Sequence, residues 1–285
     1  MPIPFPMFVA SGTASSGSTS CAPAYPTDLL AGDLLFLIVV NKYPLNKPTD
    51  PNGWTLGVQK SGGAGAAGAD SGNVFVTAYW KVADGTETGN ETINVTSGNS
   101  TLARIFGFRK VEGANWMPPI FASGESATPD TAWSATMTAA WELRFGDMVA
   151  AWSGQNTDAY TNSVERVAHG SAKFQNNAER TDNPATAGDD VRMVTSTHEV
   201  LTGNETAIST YTMTAAGSDA NSPAGVTVLA RLRMRGSPEV HAPVRKRQML
   251  VVNNRSQKSP ADLAAEKASK LRQELEGRGG AGWTA

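Results

Sequence analysis

GDLLFLIVV, residues 32–40, is a run of seven apolar residues opened by the pair Gly32-Asp33. It lacks the polar alternation of a half-exposed strand, so as a β-strand it has to be covered on both faces. The segment recurs as GDMVAAW at 146–152, 114 residues downstream. Other landmarks recur around it in the same order. FVASGTAS at 8–15 is echoed by FASGESAT at 121–128, and TGNET at 88–92 returns at 202–206, again 114 residues on. Each copy closes with an apolar strand, LARIFGFRK from Leu102 and VLARLRMRG from Val228. Matched order and spacing of this kind define a tandem repeat, and a repeat decides the architecture. Asp33 and Asp147 stand after glycine at the same strand start in both copies. That repetition favours a turn role, such as an Asx cap, over a catalytic one.

Working outward, each copy reads as β. Val74, Val76, Ala78 and Trp80 alternate with Phe75, Thr77 and Tyr79, and Ile93 and Val95 alternate with Asn94 and Thr96. Pro51-Asn52-Gly53 and Asp84-Gly85 are turn signals, and no helical period occurs before the last fifty or so residues. The expected fold is all-β: two tandem, related antiparallel β-sandwich domains (Ig-like or jelly-roll-like) plus an extended C-terminal arm with one α-helix. The expected divisions are 1–117, 118–236 and 237–285. In the arm, QMLVVN at 248–253 reads as a further strand. Ser259-Pro260-Ala261-Asp262 is a capping box with proline at the first helical position, predicting a helix over 260–276. Ala264, Ala268, Leu271 and Leu275 share one face of that helix.

The chain has 285 residues, with 24 Lys and Arg against 26 Asp and Glu. The near-neutral total is a cancellation. Residues 1–236 carry 15 basic and 21 acidic side chains, a net of −6, while 237–285 carry 9 and 5, a net of +4. A single cysteine excludes an intrachain disulfide framework and fits a reducing cytoplasm. No run approaches the ~18 apolar residues of a membrane span. The opening MPIPFPMFVASG lacks the basic and apolar regions of a secretory signal. Nucleic acid is not an expected partner, because Arg245-Lys246-Arg247 is short and no aromatic lies between Arg245 and Arg278 to stack on bases.

Candidate chemistry is sparse. GAGAAG at 63–68 matches a dinucleotide pattern but leads into a strand, where the phosphate-binding role needs a helix. His169, His198 and His241 have no zinc-ligand spacing, and His198-Glu199 reads as a sheet-surface pair. Cys21 has no basic neighbour and reads as a buried, inert thiol. Asp182, Asp189 and Asp190 lack the spacing of a calcium loop. No catalytic, cofactor or metal residue is expected. Trp80 and Trp152 lie inside apolar strands and read as core. Trp54, after its turn, is the candidate glycan contact, with core packing as the alternative reading.

AGDLLFLIVVN, PNGWTL, the Gly/Ala loop, VFVTAYWKVADGTET and LARIFGFR together resemble a β-rich type of virion protein of tailed bacteriophages. The resemblance covers about residues 8–236. It implies a non-enzymatic structural component, tail-associated, with capsid decoration or a glycan-binding adhesin as alternatives. The expected partners are other virion proteins and copies of the chain itself, with a host surface glycan for the adhesin and no membrane. The expected location is the virion, after synthesis in the host cytoplasm. Attachment is expected through the arm, at Met249, Leu250, Val251, Leu263, Ala264, Ala268, Leu271, Leu275 and Trp283.

Overall fold

A computed structural model describes residues 5–42, 48–62, 73–96, 100–125, 132–135, 143–156, 164–168, 174–184, 191–201, 211–215, 225–235 and 267–270. The chain forms two compact units, Met1–Glu239 and Val240–Ala285. In the second, residues 267–270 are helical and exposed. The first is built from antiparallel strands, as the alternation and turn signals predict.

Its first half contains β1 (Met7–Ser11), β2 (Ser15–Gly17), β3 (Ser20–Cys21), β4 (Leu34–Asn41), β5 (Thr55–Gly62), β6 (Val74–Val82), β7 (Ile93–Asn94) and β8 (Thr101–Arg109). After β9 (Asn115–Trp116) come β10 (Ile120–Glu125), β11 (Ala132–Ala135), β12 (Met148–Asn156), β13 (Val164–Ala168), β14 (Phe174–Pro184), β15 (Val191–Val200), β16 (Tyr211–Ala215), β17 (Gly225–Leu232) and β18 (Met234–Arg235). The first large sheet has the order β1-β8-β4-β6-β5, and the second has β10-β17-β12-β15-β14. The two five-strand orders correspond, and β2 pairs with β8 in addition in the first sheet. In each, the GD strand (β4 or β12) is central. Smaller sheets, β3-β7 and β11-β16-β13, accompany the large ones.

The large sheets pack face to face, β15 over β8 and β4, β12 over β4 and β6, and β17 over β6 and β5. The residues between them form one core. Leu34, Phe36, Ile38 and Val40 from β4 meet Met148, Ala150 and Trp152 from β12, with Phe106, Phe108, Met193 and Val228 alongside. The alternate face of β4, Leu35, Leu37 and Val39, packs with Cys21, Tyr79, Ile93 and Ile105 in a second cluster under β3-β7. Every residue from Leu34 to Val40 is fully buried, as the unbroken apolar run requires. The two large sheets, one from strands β1–β8 and one from strands β10–β17, thus share a core between their inner faces. The packing is close at Gly154, where an added Cβ would overlap Val76 and lie 2.8 Å from Val40 Cγ1. The only pairing between the halves among the described strands is β9 with β18, Met234 opposite Trp116.

Candidate functional site

Three groups of polar and reactive side chains follow from this frame. The first is the repeated GD pair. Gly32 and Gly146 have φ of +90° and +92°, a conformation that glycine adopts without the Cβ penalty. The aspartate that follows is buried in both copies, at 2% and 3% exposure. The backbone N–H of Leu30 donates to Asp33 Oδ2 at 2.9 Å, and that of Arg144 donates to Asp147 Oδ2 at 2.8 Å. These bonds fulfil the turn role expected from the repeat. The structure adds a partner for each carboxylate. Arg109 donates through Nε and a terminal nitrogen to Asp33 at 3.0 and 2.8 Å, and Arg233 does the same to Asp147 at 2.8 and 2.6 Å. Such two-point pairs fix orientation as well as charge. Each clamp ties the start of the central strand to the end of β8, or to the residue after β17.

The second group surrounds Trp54. Its indole N–H donates to Glu91 Oε2 at 3.1 Å, and Tyr25 Oη donates to the same oxygen at 2.5 Å. The Tyr25 and Trp54 rings stack at 6.4 Å, and the Lys81 ammonium sits 4.8 and 4.9 Å from their centroids. Lys81 also donates to Tyr25 Oη at 3.0 Å and pairs with Glu87 at 3.3 Å. Burial, with Glu91 close by, pushes the Tyr25 hydroxyl well above its ordinary value. Trp54 is 8% exposed. A ring that is buried and stacked on Tyr25, with its N–H committed to Glu91, offers no open platform to a sugar. The exposed-aromatic reading of Trp54 is therefore corrected to a structural one. The signal missed in the sequence was Glu91, 37 residues away, which draws the indole inward.

The third group is Cys21, buried as expected and free of any disulfide. Burial pushes its thiol up to about 12. The thiol should resist an aromatic disulfide reagent at pH 8 in the folded protein and react once per chain after unfolding. Rapid native labelling would contradict this. Because the folded value lies above the ordinary value of 9.0, this contribution to stability is complete below pH 9 and is lost as pH rises from there toward 12. Tyr25 and Tyr79, also raised, act in the same direction at higher pH.

His198 corrects another expectation. It lies on the outer face of β15, yet it is 1% exposed, its Nε2 is 2.9 Å from Ser196 Oγ, and its ring meets Phe174 edge-on at 6.1 Å. Glu199 points to the opposite face and accepts from Gln175 and Asn176. The two residues are neighbours in sequence only. Trp152 is core as expected, while Trp80 is half-buried against the shared core. Of the arm residues named for attachment, Ala268 falls in the exposed helical stretch 267–270. Met249, Leu250, Val251, Leu263, Ala264, Leu271, Leu275 and Trp283 lie outside the described residues, as do GAGAAG, Asp189 and Asp190. Among the described residues there is no cluster of metal-ligating side chains, and no helix is long and apolar enough to cross a membrane. Compared with known proteins, the chain matches no family model, no curated protein and no solved structure.

Proposed function

We propose that the protein is a non-enzymatic structural component of a tailed-bacteriophage virion, tail-associated and attached to neighbouring subunits through its C-terminal arm. The observation that carries this reading is the division of the chain into a body, Met1–Glu239, and a second compact unit, Val240–Ala285. The sequence puts a net of −6 on residues 1–236 and +4 on 237–285. Opposite charges of this kind favour docking of one subunit's arm on another's body. The side chains best suited to chemistry on the body, the two Asp–Arg pairs and the Glu91 cluster, are engaged in holding turns and loops. The shared strand order and the matching Asp–Arg clamps further support reading residues 1–117 and 118–236 as two related sandwiches descended from one unit.

Deleting residues 240–285 should leave a body that unfolds cooperatively but is missing from purified particles. A truncated chain incorporated at wild-type level would refute arm-mediated attachment. Electron microscopy of particles carrying a tagged full-length chain separates a tail position from the capsid surface.

A further inference from the structure

Four of the five large hydrophobic side chains left exposed among the described residues, Met7, Leu30, Val82 and Phe145, lie at one end of the body. This end carries both GD pairs. The Trp116 indole N–H donates to the Gly32 carbonyl at 2.9 Å, Met234 pairs with Trp116, and the adjacent Arg233 holds Asp147. On the first half's side, the Asp33 clamp gathers three of the four. The Leu30 N–H donates to Asp33 Oδ2, and Met7 stands opposite Arg109 across β1 and β8. The Asp33 carbonyl accepts from the N–H of Ala83, next to Val82. On the second half's side the turn is chemically different. Phe145 meets Phe5 edge-on at 5.5 Å, and its neighbour Arg144 is exposed.

The apolar residues on the first half's side are flanked by acid. Asp28, close to Leu30, and Asp84, close to Val82, are both exposed, as is Glu112 in the turn after β8. Of the nearby cations, Arg109 is held by Asp33 and Lys81 by Glu87. That sets Lys110, and Arg235 at the chain's exit, against three exposed carboxylates. An exposed apolar surface with an acidic rim fits a partner that is apolar and basic. The sequence contains such a segment. Residues 245–258 read RKRQMLVVNNRSQK, with five basic residues and no acidic one around the apolar run 249–252. The described part of the body ends at Arg235, paired with Asn115 on this same end. The ten residues from there to Arg245 reach about 35 Å when extended, enough to cross to a neighbouring subunit. Within one copy, Met7, Leu30 and Val82 remain uncovered.

We infer that this end of the first half, built around Leu30 and Val82 and flanked by Asp28, Asp84 and Glu112, receives residues 245–258 of a second copy. This docking, which rests on the arm-mediated attachment proposed above, sets the run 249–252 on the apolar residues and the flanking basic residues against the carboxylates. The test is sedimentation velocity of the full-length chain over a range of concentration and salt. Wild type should self-associate at low salt and dissociate as salt rises. Arg245→Glu/Lys246→Glu/Arg247→Glu in the arm, or Asp28→Lys/Glu112→Lys on the body, should each weaken association by about tenfold or more. An equimolar mixture of these two variants should recover it, because each offers the charge that the other's surface needs. Leu30→Ser should weaken association too, while Leu56→Ser, at an exposed leucine on the edge strand β5, should not. Thermal unfolding checks that every variant is folded. If reversal in the arm abolished association and reversal on the body did not, the arm would attach elsewhere and this surface alone would fall. A mixture that fails to recover would overturn docking between copies at this surface. A wild type that stays monomeric at every salt would overturn it as well, and incorporation of the truncated chain into particles would then decide arm-mediated attachment separately.

Discussion

Asp147→Ala should destabilise the body by about 3–5 kcal/mol, the range for stripping one partner from a buried ion pair. The Asp147 side chain is 4% exposed and that of Arg233 is 11% exposed, so the guanidinium left behind has little water to replace the carboxylate. The N–H of Arg144 loses its acceptor at the same time. Asp33→Ala removes the equivalent clamp, but Arg109 is 27% exposed. Its cost should be smaller, roughly 2–3 kcal/mol, because a half-hydrated cation tolerates the loss better. The double variant Asp147→Ala/Arg233→Met should recover part of the single-variant loss, since it removes the buried cation together with its carboxylate. Urea denaturation followed by tryptophan fluorescence measures all three. If Asp147→Ala cost no more than Asp84→Ala, an exposed aspartate, the clamp would not hold the frame.

These clamps also show how far the sequence could be read. Gly32-Asp33 and Gly146-Asp147 were visible as a repeated pair, and the repetition pointed to a turn, which the backbone N–H donors bear out. The arginines were not found, although Arg109 and Arg233 stand in the matched closing segments. Their partners are 76 and 86 residues away, and a local pattern carries no information about contacts at that range. The reading of His198 as a surface residue fails because a strand pattern separates two faces without saying whether either is covered. The run from Leu34 to Val40 was legible for the opposite reason. Seven apolar residues in succession leave no face for water, so burial on both sides follows from composition alone. What alternation could not foresee was that one of those covers is the other half of the chain. An apolar face states that a partner is needed without naming it. The same limit applies to Trp54, whose neighbours in sequence form a turn while Glu91 decides its environment.

Trp152→Ala tests that shared core and should cost about 3–5 kcal/mol, at the upper end for a large-to-small change. The Trp152 side chain is fully buried, with its ring centroid 5.0 Å from Phe36 and 6.2 Å from Phe106, both on the facing sheet. Phe36 in turn meets Phe108 and Phe121 at 5.7 and 6.1 Å, so the tryptophan fills the centre of an aromatic cluster drawn from both halves. The walls of the resulting cavity are hydrogen-bonded strands of two sheets, which limits how far they can collapse into the space. Trp152→Phe keeps most of the ring contact and should cost roughly half as much or less. Pairing between the halves among the described strands is confined to β9 and β18, so their cohesion depends on this side-chain packing. Calorimetry of Trp152→Ala should therefore show one transition at lower temperature, with both halves still unfolding together. Two resolved transitions, one of them at the wild-type temperature, would mean that each half is stable without the other and that the common core is an interface between independent domains.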